Sequence, residues 1–126
     1  MSGHQPGFLK LVNASKAVIR EYTTDDVHGL MQDSVPFHFV DVREDREFEK
    51  GRCAQAIHLG KGIIERDIEK TIPEKDAHVV LYCGGGFRSA IAAENLQKMG
   101  YSQVYSMDGG IREWREKGYP MDSDDS

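Results

Sequence analysis

The segment around Cys83 is the feature that most limits how this chain can fold. An apolar run from Val79 to Tyr82 is followed by Cys83, three consecutive glycines and a helical pattern that begins near Ser89. Glycines lose more backbone freedom on folding than other residues, so three in a row predict a tight loop whose N–H groups converge without Cβ atoms in the way. The segment therefore predicts a buried strand, a compact loop and a helix in direct succession.

The rest of the chain alternates short β-rich runs with helical patterns. The run Thr23-Thr24-Asp25-Asp26 predicts a helix start, with threonine side chains able to cap the helix and Val27, Leu30 and Met31 on one face. Two further apolar stripes centre on Leu96 and Trp114. The predicted strands are Ala17 to Glu21, Phe37 to Val42, Ala56 to Leu59, His78 to Tyr82 and Gln103 to Ser106. Such alternation is typical of an α/β fold with a mostly parallel sheet.

Length and charge narrow the classes of function. The chain has 126 residues, 39% hydrophobic and 29% charged, which fits one globular domain. A net charge of -5 without a Lys/Arg cluster argues against a nucleic-acid partner. The apolar runs are too short to cross a bilayer, and the first residues lack the basic and apolar regions of a secretory signal. We therefore expect no membrane association and a cytoplasmic location.

The two ends of the chain differ from its centre. We expect an N-terminal arm over residues 1–16, as either a short docking helix or a loose segment, because its apolar residues follow a mixed pattern. We expect the domain itself over residues 17–120, and an acidic, frayed C-terminal tail over residues 121–126.

The glycine loop predicts a site for a sulfur nucleophile. N–H donors that converge at a helix N-terminus bind anions, so they favour the thiolate form of Cys83 and would stabilise a sulfur atom added to it. The loop residues predicted to hold this sulfur are Gly84, Gly85, Gly86, Phe87, Arg88 and Ser89. The alternative is a small buried cysteine before a glycine-rich turn, which leaves Arg88 without explanation.

The length of the loop separates two chemistries. Four residues, Gly84 to Phe87, stand between Cys83 and Arg88, whereas cysteine phosphatases place one residue more there. The shorter ring fits a single sulfur atom better than a tetrahedral phosphoryl group.

Three signatures in order resemble those of the rhodanese family, over about Val18 to Pro120. They are the loop Cys83-x-x-Gly86-x-Arg88-Ser89, the upstream Asp41-Val42-Arg43-Glu44 with Glu47-Phe48 and Gly51, and the downstream Asp108-Gly109-Gly110-Ile111-x-x-Trp114. The resemblance implies an open, five-stranded, mainly parallel sheet with helices on both faces. It also implies that Asp41, Arg43 and Asp108 surround the cysteine loop, with Arg43 either positioning an anionic donor or holding the loop through an acid.

The function implied by this resemblance is sulfur transfer. Cys83 would take a sulfane sulfur from thiosulfate or a persulfide, hold it as a persulfide, and pass it to cyanide or a thiol, or to a sulfur-relay protein. No cofactor and no metal is expected. The loop has no charged residue before Arg88, whereas some thiosulfate-using members of the family carry a cation there. A non-catalytic binding module and, less favoured, a cysteine phosphatase or arsenate reductase are the alternatives.

The histidines and the second cysteine give weaker indications of function. The five histidines are scattered singly, and none stands at a metal-ligand spacing from another His or Cys. Cys53 is either a packed residue or a thiol that resolves an oxidised Cys83, and we expect the packed residue.

Overall fold

A computed structural model describes residues 4–123 of the chain. Its main sheet has five strands, all parallel, in the order β1-β6-β5-β2-β4. The strands are β1 (Arg20–Tyr22), β2 (His38–Asp41), β4 (Ile57–His58), β5 (Val79–Tyr82) and β6 (Val104–Met107). The predicted α/β fold with an open parallel sheet is confirmed, and β5 lies at the centre of that sheet.

Six helices connect and cover these strands. They are α1 (Pro6–Lys16), α2 (Thr24–Gln32), α3 (Asp45–Lys50), α4 (Ile64–Thr71), α5 (Phe87–Lys98) and α6 (Gly110–Glu116). A threonine caps α2 as predicted, and it is Thr23: its hydroxyl accepts from the Asp26 N–H while the Asp26 carboxylate accepts from the Thr23 N–H. The short α3 and the amphipathic α4, which buries Ile64 and Ile68, were not predicted.

The helices form two layers, one on each face of the sheet. Side chains of β5 alternate between the layers: Val79 and Leu81 pack with α4 and α5, whereas Val80 and Tyr82 pack with α2 and α6. Helix α1 packs against α5 and so belongs to the first layer. A strand buried on both faces explains why the run before Cys83 is continuously apolar.

The first predicted strand lies later in the chain than expected. Helix α1 ends at Lys16, and the N–H groups of Val18 and Ile19 both donate to the Ser15 carbonyl in the turn that follows it. Pairing with β6 therefore begins only at Arg20. Of the two forms considered for the N-terminal arm, residues 6–16 take the helical one.

The C-terminal end also differs from the frayed tail predicted from residue 121. Met121–Asp122 form β7, which pairs antiparallel with β3 (Arg52–Cys53) in a small second sheet. The Asp122 carboxylate further accepts from the Gln55 N–H. These bonds tie residues 121 and 122 to the domain, and the rest of the predicted tail beyond residue 123 lies outside the described residues. No helix in residues 4–123 is long and apolar enough to cross a membrane.

Candidate active site

Cys83 lies where the central strand ends and the longest helix begins. Strand β5 stops at Tyr82, and α5 starts at Phe87, two residues before the predicted start near Ser89. Gly86 caps this helix with a φ of 97°, and a Cβ there would stand 3.2 Å from the Asp108 Cα and the Gly109 nitrogen. Only glycine fits that position without strain, which accounts for one of the three consecutive glycines.

Two backbone N–H groups donate to the sulfur of Cys83. The Gly86 nitrogen lies 3.2 Å and the Ser89 nitrogen 3.4 Å from Sγ. Both belong to the N-terminal turn of α5, where N–H groups have no partner within the helix and the helix dipole favours negative charge. Two of the six loop residues predicted to hold the sulfur therefore donate to it, which is fewer donors than the sequence predicted.

Two buried hydroxyl groups form a chain of polar contacts that starts at the sulfur. Ser89 Oγ lies 3.5 Å from Cys83 Sγ and 2.8 Å from Ser106 Oγ, on the neighbouring strand β6. Both serines are completely buried. Ser106 was predicted only as a strand residue. It reaches the loop because β6 lies next to β5, and its position in the sequence does not reveal that the two strands are neighbours.

Helix α6 fixes the loop from the other side. The Ile111 N–H donates to the Cys83 carbonyl at 3.0 Å, and the Arg112 N–H donates to the Gly84 carbonyl at 3.1 Å. Gly110 lies so close to the loop that a Cβ on it would stand 2.5 Å from both of those carbonyl oxygens. The downstream signature therefore positions the cysteine loop by direct backbone contact.

A cavity of about 450 Å³ opens above Cys83. Its lining includes the guanidinium groups of Arg88 and Arg112. Arg112 Nη1 lies 3.4 Å from the point that a Cβ on Gly85 would occupy, and Arg88 Nη2 lies 3.8 Å from the corresponding point on Gly84. Arg88 also pairs with Glu47 at 3.5 Å. Arg112 thus places a guanidinium group against the loop from α6, and it was not among the predicted site residues.

Aromatic residues from two helices complete the lining of this cavity. Phe87 belongs to α5, while His4 and Phe8 come from the N-terminal segment and α1. The His4 ring lies 4.5 Å from the Phe87 ring and 5.3 Å from the Phe8 ring, between centroids. Neither His4 nor Phe8 was predicted as a site residue, since nothing local indicates that the N-terminus reaches the cysteine loop.

Asp41 and Arg43 form a buried ion pair beside the loop. Arg43 Nη2 donates to Asp41 Oδ2 at 2.8 Å and to the Gly51 carbonyl at 2.6 Å. Burial opposes the charged form, but the hydrogen bonds and charge of Asp41 raise the pKa of Arg43. Arg43 lines a different cavity from the one above Cys83. This geometry favours a structural role for Arg43, as the partner of Asp41 and of the Gly51 carbonyl, over donor binding.

Asp108 lies at the edge of the loop and is well exposed. Its carboxylate accepts from Lys16 Nζ at 3.1 Å, and its backbone N–H donates to the Tyr22 carbonyl. Asp108 Oδ1 would also lie 3.3 Å from a Cβ on Gly86. It links α1 to the loop and lies outside the lining of the cavity above the sulfur.

The two cysteines lie on opposite faces of the sheet. Cys83 belongs to the core layer of α4 and α5, whereas Cys53 packs with Tyr82 and Trp114 in the other layer. Both are free thiols. Burial raises the pKa of the Cys53 thiol. These observations favour the packed role of Cys53. Among residues 4–123, no group of three or more His, Cys, Asp or Glu side chains is placed to hold a metal ion.

The chain belongs to the rhodanese-like domain family, whose sequence model matches residues 23–117. The thiosulfate sulfurtransferase GlpE of Vibrio cholerae is 30% identical over 93 residues, which cover 74% of this chain and 86% of that protein. A tRNA uridine(34) hydroxylase of Sodalis glossinidius is 31% identical over 105 residues, 77% of this chain. The match covers only 30% of the hydroxylase, so it concerns one part of a longer protein.

Two solved structures have a similar fold. A polysulfide-sulfur transferase homodimer from Wolinella succinogenes superimposes with a TM-score of 0.78 at 27% identity, over 93% of this chain and 88% of that one. A Rhodopseudomonas palustris protein of unknown function, described as a possible tyrosine phosphatase, gives a TM-score of 0.86 at 29% identity, over 97% of this chain and 98% of that one. The second match extends to nearly the whole chain, beyond the range of the family's sequence model.

Proposed function

We propose that this protein is a sulfurtransferase that carries a sulfane sulfur as a persulfide on Cys83. The observation that carries the proposal is the pair of N–H groups from Gly86 and Ser89 that donate to Sγ at the base of the cavity. Donors held rigidly by a helix N-terminus stabilise a negative sulfur without further rearrangement. The sulfurtransferase named among the relatives of this chain supports the same class of reaction.

The first half-reaction transfers sulfur to the enzyme. With thiosulfate, the Cys83 thiolate attacks the outer sulfur, a new S–S bond forms at Sγ, and the bond between the two sulfur atoms of thiosulfate breaks. The electron pair of that bond leaves with sulfite, so the enzyme becomes a persulfide anion and the total charge is conserved. Arg88 and Arg112 are placed to attract the anionic end of the donor, which becomes the leaving group.

The second half-reaction returns the enzyme to its thiolate form. Cyanide attacks the terminal sulfur of the persulfide and the S–S bond breaks. The electron pair of that bond returns to Cys83, and thiocyanate departs. A thiol acceptor, free or on a sulfur-relay protein, would take the sulfur in the same way. The two steps predict ping-pong kinetics.

The competing functions make different demands on the same cavity. A cysteine phosphatase needs a loop sized for phosphoryl oxygens, whereas four residues separate Cys83 from Arg88 here. A binding module needs no nucleophile, whereas this chain has its cysteine at a helix N-terminus with two donors on the sulfur.

Mass spectrometry of the intermediate tests the proposal. Incubation with a sulfane donor and removal of the excess should leave a protein heavier by one sulfur atom, mapped to Cys83, and cyanide should restore the original mass and release thiocyanate. Cys83→Ser should lose loading and turnover, while Cys53→Ser, a matched removal of the other thiol, should keep most of both. Equal loss in two folded variants would show that the thiols act together. Failure of every donor to load folded, reduced protein would favour the binding module.

A further inference from the structure

The cavity above Cys83 has two chemically different walls. One is formed by the guanidinium groups of Arg88 and Arg112, and the other by the rings of His4, Phe8 and Phe87, which lie close to one another. The centroids of the Phe8 and Phe87 rings are 6.4 Å apart, within the range of aromatic contact. An anion alone would use the first wall only, so the aromatic wall has no role in the transfer described above.

Two of the three rings of the aromatic wall come from residues outside the matched family region. His4 and Phe8 precede residue 23, where the family match begins. The helix that carries Phe8 is nevertheless firmly attached to the domain. Val12 on this helix is buried. Ser15 Oγ donates to Glu94 Oε1 of α5 at 2.8 Å. Lys16 Nζ donates to Glu21 Oε2 at 2.7 Å and to Asp108 Oδ1 at 3.1 Å. Phe8 is therefore carried by a helix that is fixed to the domain.

We propose that His4, Phe8 and Phe87 form an aromatic subsite that determines donor specificity. The preferred donors are organic anions in which the sulfane sulfur is attached to a group that carries an aromatic or large apolar substituent. This inference rests on the proposed function. A ring packed against these side chains loses part of its contact with water and gains the dispersion and edge contacts of aromatic pairs. Small inorganic donors gain nothing from this wall.

An aryl thiosulfonate has both required parts and gives a balanced reaction. The Cys83 thiolate forms a bond to the terminal sulfur, and the bond between that sulfur and the sulfonyl sulfur breaks with its electron pair. The aryl sulfinate anion leaves and the enzyme persulfide anion remains, so atoms and charge balance. The arginines attract the sulfonyl oxygens, and the aryl group contacts the aromatic wall.

The experiment compares benzenethiosulfonate with methanethiosulfonate, which share the reacting group and differ in the apolar one. The quantity measured is the ratio of kcat/KM for the two donors, in the wild type and in Phe8→Ala. Leu11→Ala is the matched control, because Leu11 also lies on α1 but is 62% exposed. Comparing ratios between variants cancels the different intrinsic reactivity of the donors.

Phe8→Ala should lower the ratio by about tenfold, the scale of discrimination by an apolar pocket. Leu11→Ala should leave it unchanged, and Phe8→Leu should restore part of it because a large apolar side chain remains. An unchanged ratio in folded Phe8→Ala, or an equal loss with both donors, would overturn the subsite. If wild-type protein takes sulfur from neither donor nor from thiosulfate, the proposed function fails instead, so the two failures are distinguishable.

Discussion

Replacing Gly110 by alanine tests whether α6 holds the cysteine loop in place. Gly110 has a φ of 58°, and the new Cβ would stand 2.5 Å from the Cys83 and Gly84 carbonyl oxygens and 2.6 Å from the Gly84 carbonyl carbon. Real Cβ atoms do not approach backbone so closely, and neither neighbour is a flexible side chain that could turn away. The substitution must therefore displace α6 or the loop that carries the nucleophile.

The expected loss of stability has two parts. A residue with a Cβ in the left-handed conformation costs about 1–2 kcal/mol, and forcing extra volume into a packed site costs about 1–3 kcal/mol more. Gly118→Ala is the matched control, since Gly118 has a φ of 73° and no heavy atom within 4 Å of the new Cβ. Gly118→Ala should therefore lose only the stability that the left-handed conformation costs. The entropy that alanine removes from the unfolded chain is the same in both variants and cancels in the comparison.

Urea unfolding and persulfide loading together measure the outcome. The free energy of unfolding should fall by about 2–5 kcal/mol in Gly110→Ala and by only about 1–2 kcal/mol in Gly118→Ala. Under conditions where both remain folded, Gly110→Ala should also load sulfur more slowly, because the Gly86 and Ser89 donors no longer meet Sγ. Equal destabilisation and equal loading in the two variants would refute the bracing role of α6.

Two further predictions concern residues near the loop. Burial raises the pKa of Cys53, so its thiol stays neutral as the pH rises through the range where a free cysteine ionises. Iodoacetamide at about pH 8 should therefore modify Cys83 well before Cys53 in folded protein, as measured by peptide mapping, and denaturant should remove the difference. Comparable rates in folded protein would contradict this. Arg43→Met leaves the Asp41 carboxylate buried without its charged partner and should lower the free energy of unfolding by about 3–5 kcal/mol in urea, with much of the loss recovered in the double variant Asp41→Leu/Arg43→Met. A loss under about 1 kcal/mol would argue that the pair does not stabilise the fold.

The elements that the sequence predicted well are those whose signal is local. The run before Cys83, the glycines and the start of α5 are consecutive, so strand, loop and helix follow from one short segment. The five strands of the main sheet were found within a few residues of their bounds. Local signals also explain the misplaced start of β1, since Val18 and Ile19 have strand propensity, but the helix before them uses their N–H groups in its terminal turn.

The residues missed at the site are those that reach it through tertiary contacts. Arg112 approaches the loop because Gly110 allows α6 to lie against it, and Phe8 does so because α1 packs on α5. Neither contact has a periodic pattern or a spacing that a single sequence displays. Arg112 stands two residues after Gly110 in the third signature, which was a usable hint, whereas His4 and Phe8 offered none.

The division of donors between backbone and side chains argues for sulfur transfer over phosphate hydrolysis. A phosphoryl group concentrates its charge on oxygens around one atom, so its binding loop has to direct several donors to a single tetrahedron. Here the backbone donors of Gly86 and Ser89 point at Sγ itself, while the guanidinium groups of Arg88 and Arg112 line the cavity above it. A donor of sulfane sulfur has the same two parts, a sulfur that joins the cysteine and an anionic group that leaves. In the proposed reaction, the short loop would stabilise the sulfur that stays, and the two arginines would attract the anion that departs.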